Sequence, residues 1–239
     1  MTSDARRSLL SRVLGEVWRL YRAHLPALLA AGLVIFVPVG LLDAVADSVF
    51  EDVEGGSALE TAGAAGGLLA TVGLSLLGEI LFAGFVAAVV ISEREGEHHS
   101  MADLVRSLPF GRLIGADLVY VLLVVAGLLL LVVPGLVALT WFALVAPAVK
   151  IEGLGIGAAL RRSRALVRPR FWAVFALVVP LALVSDLMTD AVFSGAISAF
   201  GDTLPGEWAG SAVSELLTAP FLGLTVVVLF FELRANPAR

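Results

Sequence analysis

The chain has 239 residues, of which 59% are hydrophobic and 15% charged, with a formal net charge of -5 and no cysteine. Its mean hydropathy is +0.97, whereas soluble domains run to about 45–50% apolar and about 25% charged residues. A fully solvated surface is therefore excluded, lipid must cover part of this one, and the absence of cysteine excludes disulfide and thiolate chemistry.

The first 24 residues, MTSDARRSLLSRVLGEVWRLYRAH, lack a clear small-residue cleavage site and are read as retained rather than as a signal peptide. Leu10, Val13, Leu14, Val17 and Tyr21 make an apolar stripe, with Arg12, Glu16 and Arg19 opposite. This predicts an amphipathic arm over 1–24, lying before the first membrane span.

A spanning helix needs about 20 mostly apolar residues. Candidates are 25–46, 66–92, 113–133, 136–149, 171–193 and 209–231. Between Arg112 and Lys150 only Asp117 is charged. One helix there would extend roughly 55 Å, well beyond a hydrocarbon core of about 30 Å. Pro134-Gly135 is a turn signal near its middle, so two short spans are expected, crossing fully or re-entering. Ser100 and Asp103 read as a helix N-cap with its acidic partner.

The stretch ALRRSRALVRPRFW, 159–172, holds five arginines. A nucleic-acid groove-binder would normally carry net positive charge and a recognisable motif, so nucleic acid is excluded as a partner. Ile156, Ala159, Leu160, Ser163 and Val167 share one helical face, and Arg161, Arg164 and Arg168 share another. This suits an interfacial helix whose arginines meet anionic headgroups; the plainer reading is a solvated connector. The expected architecture is a single all-α membrane domain over 1–239, built as three units of an interfacial amphipathic helix and a two-span hairpin. Hairpin 1 occupies 25–92, amphipathic helix and hairpin 2 occupy 100–149, and amphipathic helix and hairpin 3 occupy 155–232.

The first and third units also align without gaps, matching Arg19 with Arg162, Pro26 with Pro169, Asp43 with Asp186, Asp47 with Asp190 and Phe50 with Phe193. Further on, GEILFAGF aligns with SELLTAPF, which pairs Glu79 with Glu215. Both units run in the same direction, so this is read as a parallel internal repeat.

The charges sort by segment. Basic residues occur in the N-terminal arm, after the second span, in the arginine-rich stretch with its approach, and in the tail. Asp43, Asp47, Glu51, Asp52, Glu54 and Glu60 separate spans one and two, and Asp186, Asp190, Asp202 and Glu207 separate spans five and six, with no lysine or arginine among them. Basic residues are retained on the cytoplasmic side, so six spans with both termini inside place all 16 there.

From Val133 onward, VPGLVALTWFALVAPAVKIEGLGIGAALRRSRAL resembles the membrane domain fused to some bacterial glycerophosphodiester phosphodiesterases, and its stand-alone uncharacterised relatives. Pro134-Gly135, Pro147, Glu152, Gly155, Ala159, Ser163 and Leu166 carry the resemblance, with VVVLFFELR at the end of the last span. It covers roughly the last half of the chain. It implies an all-helical fold of about six spans in the bacterial cytoplasmic membrane. It does not imply the enzyme, whose activity belongs to a separate soluble barrel with no counterpart segment here.

Candidate chemistry is sparse. EREGEHH, 93–99, is a charged loop without the i,i+4 histidine spacing of a zinc-binding helix, so no metal and no cofactor is expected. Glycines in the second span suit close helix packing. The carboxylates Glu79, Glu215, Asp43 and Asp186 are expected in the outer half of the membrane, where a charged group must face protein or water, or take up a proton; the plainer reading makes the aspartates helix-end caps. The expected function is a non-enzymatic structural, assembly or lipid-associated role. Its partners would be membrane lipids with anionic headgroups, a membrane protein, or a second copy of the chain. The rival is a transporter passing a small solute or cation through an outward-facing acidic cavity.

Overall fold

Hydrocarbon offers a backbone no hydrogen-bonding solvent, so a chain this apolar must satisfy its peptide groups within helices or a closed barrel. The computed structural model describes residues 3–50, 78–96, 100–201 and 203–236, and every regular element among them is helical. In order these are α1 (Ser3–Phe50), α2 (78–95), α3 (Met101–Arg106), α4 (Phe110–Leu130), α5 (Val132–Phe142), α6 (Val145–Glu152), α7 (Ile156–Val167), a 3-10 turn (Arg168–Arg170), α8 (Phe171–Phe200) and α9 (Leu204–Ala235). Five stretches are long and apolar enough to cross a membrane: Leu9–Leu42, Phe110–Gly127, Val132–Glu152, Ile156–Ala199 and Trp208–Ala235. The expected second span, 66–92, is described only from residue 78. Apolar side chains such as Val34, Leu118, Leu122 and Leu187 stand more than half exposed on these helices, as lipid-facing residues must.

The amphipathic arm expected over 1–24 is the first part of a longer helix. α1 continues through Pro26 and Pro38 as one helix of 48 residues, about 72 Å long. A proline inside a helix removes one hydrogen bond and clashes with the preceding turn. Packing holds α1 together across that defect: Leu9, Val13, Val17, Leu20, Leu28 and Ala31 form one buried stripe on both sides of Pro26. The arm's apolar face therefore seats on protein, with Leu14 and Trp18 turned outward.

Two helices run antiparallel to α1. Arg12 meets Glu232, the Tyr21 ring stacks 4.4 Å from Phe221, and Trp208 donates its indole N–H to the Val37 carbonyl, which lays α9 along α1. Arg19 meets Glu93 near the start of this seam, and Phe36 packs on Phe82 further along, which lays α2 beside it. Glycines bring these three helices close. A Cβ at Gly32 would lie 2.5 Å from a Leu216 methyl, and one at Gly78 would lie 2.8 Å from the Phe36 ring.

α4 and α5 divide the stretch expected to hold two short spans, but the break between them falls at Leu131, in extended conformation (φ -172, ψ 149), before Pro134-Gly135 rather than at it. Pro134 occupies the first turn of α5, where a missing N–H leaves no intrahelical bond unmade. Gly135 instead serves close approach, with its amide 2.8 Å from where a Cβ on Gly127 would stand. From Arg112 to Leu130 the rise is about 27 Å, close to the hydrocarbon thickness of about 30 Å.

The α5–α6 segment breaks at Ala143 and Leu144. Pro147 explains the place: it has no N–H for the carbonyl four residues back, and its ring crowds that carbonyl. After Gly153, in left-handed conformation at φ 64, the chain re-enters a helix at α7, which buries Ala159, Ser163 and Val167 and exposes Arg161 and Arg164, with Arg168 exposed at the start of the 3-10 turn. The aligned prolines of the two units thus sit differently. Pro26 is interior to α1, whereas Pro169 lies in the 3-10 turn that separates α7 from α8.

Candidate functional site

Residues from each basic segment meet at one end of the bundle. Arg12 of α1 reaches Glu232 of α9 at 3.7 Å, and Arg19 spans Glu16 at 2.7 Å and Glu93 of α2 at 3.0 Å. Arg94 lies 4.0 Å over the Phe231 ring. Lys150 donates to the carbonyl and hydroxyl of Ser107, both at 2.8 Å, and Arg112 donates to the Gly153 carbonyl at 3.0 Å. Arg162 forms a bidentate pair with Glu152 at 2.8 Å, and Arg234 stands 3.7 Å from the same carboxylate. The expected N-cap is present, with Ser100 Oγ accepting from the Asp103 amide and donating to its carboxylate.

Glu93 is the junction of α1 and α2. One oxygen accepts from Arg19, and the other lies 2.8 Å from His24 Nε2. Burial pushes the Glu93 carboxyl up, but hydrogen bonds from His24 and Arg19 outweigh it and hold the carboxyl below its ordinary value. The first glutamate of EREGEHH is thus committed to a cross-helix ion pair, while His98 and His99 lie outside the described residues. Among the described residues no three His, Cys, Asp or Glu side chains group as a metal site would require.

The three arginines expected to face lipid are exposed on one side of α7 and at the start of the 3-10 turn, and Arg164 stacks 4.4 Å over the Trp141 ring. A cleft of about 180 Å³ opens beside them. Its walls are Arg162, Ala165, Leu166, Pro169, Arg170, Leu233 and Asn236, drawn from α7, the 3-10 turn and the end of α9. Sequence reasoning missed it, since α9 contributes from almost seventy positions away. The one signal was the second, less exposed pair of arginines in ALRRSRALVRPRFW.

Glu79 and Glu215 lie alongside the same two turns of α1. The neighbour of Glu79, Gly78, abuts Phe36 and Val39, and the neighbour of Glu215, Leu216, reaches Gly32. Both carboxylates are half-buried, and neither is without a partner. Asp43 and Asp186 lie on α1 and α8, but their side chains are outside the described residues.

The resemblance residues of the second half share one physical device. Ser163, fully buried, accepts from the Leu144 N–H at 3.2 Å and donates to the Trp141 carbonyl at 2.7 Å, filling the break that Pro147 makes. Glu152, at the end of α6, pairs with Arg162, the residue before Ser163 on α7, and Ala159 lets α7 approach. Comparison with known proteins finds no matching family model, no matching curated protein and no matching solved structure.

Proposed function

We propose that the chain is a non-enzymatic, multi-pass protein of the bacterial cytoplasmic membrane, with both termini cytoplasmic and a structural, assembly or lipid-associated role. One observation carries this reading. The seam between α1, α2 and α9, along which Glu79 and Glu215 lie, is filled by side chains: Phe36, Phe82, Phe85 and Phe230 are 0–1% exposed. A Cβ at Gly223 would stand only 3.2 Å from the Phe82 ring. A solute path needs space that opens to water, and a seam of rings set into glycine hollows packs as a protein interior does. The meeting of basic residues at one end supports the inside orientation.

Reconstitution into liposomes tests this against the transporter. The protein is expected to give no cation or small-solute flux above protein-free liposomes, and to carry lipid or a protein partner through purification in mild detergent. Flux that Glu79→Gln abolishes would overturn the structural reading.

A further inference from the structure

We propose that the cleft between α7, the 3-10 turn and the end of α9 binds a phosphate group at the bundle's basic end. The inference rests on the membrane reading above and gives it a ligand chemistry. Arg162 spends its Nε and one terminal nitrogen on Glu152, which leaves the other terminal nitrogen to donate; a guanidinium held in this way is pre-oriented. Arg170, half-buried, has no hydrogen bond or ion pair with another described residue. Arg234 adds positive charge nearby, and Glu152 is the carboxylate that faces this group. The side-chain amide of Asn236 gives one N–H to the Glu232 carbonyl and keeps the other as a neutral donor. The guanidinium fork of Arg170, the remaining terminal nitrogen of Arg162 and an amide around one hollow suit a phosphate, whose oxygens accept several charge-assisted hydrogen bonds.

The cleft's other walls distinguish the source. Leu166 and Leu233 line it, which suits a headgroup whose ester carbons and chains continue into hydrocarbon and does nothing for a free ion. Trp172, 68% exposed, stands two residues beyond Arg170. Exposed tryptophans mark headgroup depth in membrane proteins. Trp18, also exposed, lies on the basic half of α1. The geometry thus favours an anionic phospholipid over soluble phosphate.

The full chain, purified in mild detergent, would be titrated with phosphatidylglycerol, phosphatidylcholine and inorganic phosphate, reading lipid retention by native mass spectrometry and melting temperature together. Phosphatidylglycerol should be retained and stabilising, with Arg170→Gln weakening it about tenfold, the worth of one charge-assisted hydrogen bond. Arg170→Lys should lie between, because it keeps charge and loses the fork. Arg106→Gln, at the end of α3 and outside the cleft, should bind as the wild type does. Stabilisation by inorganic phosphate that Arg170→Gln removes would support the site and assign it to a soluble ligand. Equal losses from Arg106→Gln and Arg170→Gln, or equal retention of phosphatidylcholine, would overturn the proposal. Flux in liposomes would leave it standing, since it bears on the seam of α1, α2 and α9.

Discussion

Ser163 Oγ takes the place of a missing turn of helix for Leu144: it accepts from the Leu144 N–H at 3.2 Å and donates to the Trp141 carbonyl at 2.7 Å. Both backbone groups belong to the break between α5 and α6, and Ser163 arrives from α7 with no exposed surface. One hydroxyl thus fixes how the α5–α6 segment docks on the arginine-bearing helix. Losing it would leave two polar groups unsatisfied, at a cost of about 1–3 kcal/mol. Ser163→Ala should show that loss in unfolding measurements in detergent. Ser198→Ala, which removes a hydroxyl bonded to the Gly195 carbonyl on an exposed face of α8, should show almost none. Equal stability of Ser163→Ala and wild type would remove the hydroxyl from this role.

The packing of α4 on α5 depends on a backbone approach rather than on a turn residue. A Cβ at Gly127 would meet the Gly135 amide at 2.8 Å and its Cα at 2.9 Å, both immovable main-chain atoms. Gly127→Ala should force the helices apart at an overpacking cost of about 1–3 kcal/mol. Gly111→Ala, on the same helix with nothing within 4 Å, should be neutral or slightly stabilising through helix propensity. The two melting temperatures, compared in one detergent, decide the matter.

Hydropathy made the helical, multi-pass character legible, because runs of about 20 apolar residues have few alternatives to a span. Local chemistry was legible too, as at the Ser100–Asp103 cap. Pro134-Gly135 announced a break between two helices but not its place, because a proline in the first turn of a helix and a proline in a loop look alike in sequence. That the buried stripe of the 1–24 arm continues past Pro26 was not legible, because only the distant surface of α9 tells it. The Arg19–Glu93–His24 cluster and the Arg162–Arg170–Asn236 cleft were illegible for the same reason: each joins residues that only the packing of α1 on α2, or of α7 on α9, brings together.

The Glu93 junction makes stability depend on acid. Its carboxyl is held below the ordinary value in the fold, so the folded state binds fewer protons than the unfolded one as Glu93 titrates. The contribution is therefore complete above the unfolded value, about 4.3 for glutamate, and is lost as pH falls through the lowered folded value. Facing Glu93 are Arg19 and His24, with Glu16 on the far side of Arg19. Glu93→Gln should melt lower than wild type at neutral pH, and the gap should narrow as pH falls below about 4. A gap unchanged across that range would mean that packing rather than charge carries the difference.

Sidedness follows from which residues share the basic end. Ser11 lies one residue before Arg12, which pairs with Glu232, and Ser107 holds Lys150. Thr203 sits in the turn between α8 and α9, the far end of a helix whose near end carries Arg234. All three are exposed, and the chain has no cysteine of its own, so introduced cysteines report cleanly. Ser163 would be a silent choice despite its place in the arginine stretch, because it is fully buried. If basic residues are held inside, Thr203→Cys should react with an impermeant thiol reagent on intact spheroplasts. Ser11→Cys and Ser107→Cys should react only after the membrane is opened. Reaction of Ser11→Cys from outside would reverse the orientation. Because Ser107 is held to Lys150, opposite labelling of Ser11 and Ser107 would show that the N-terminal and central basic segments do not share one membrane face. The arrangement of α1 against the rest of the bundle would fail with it.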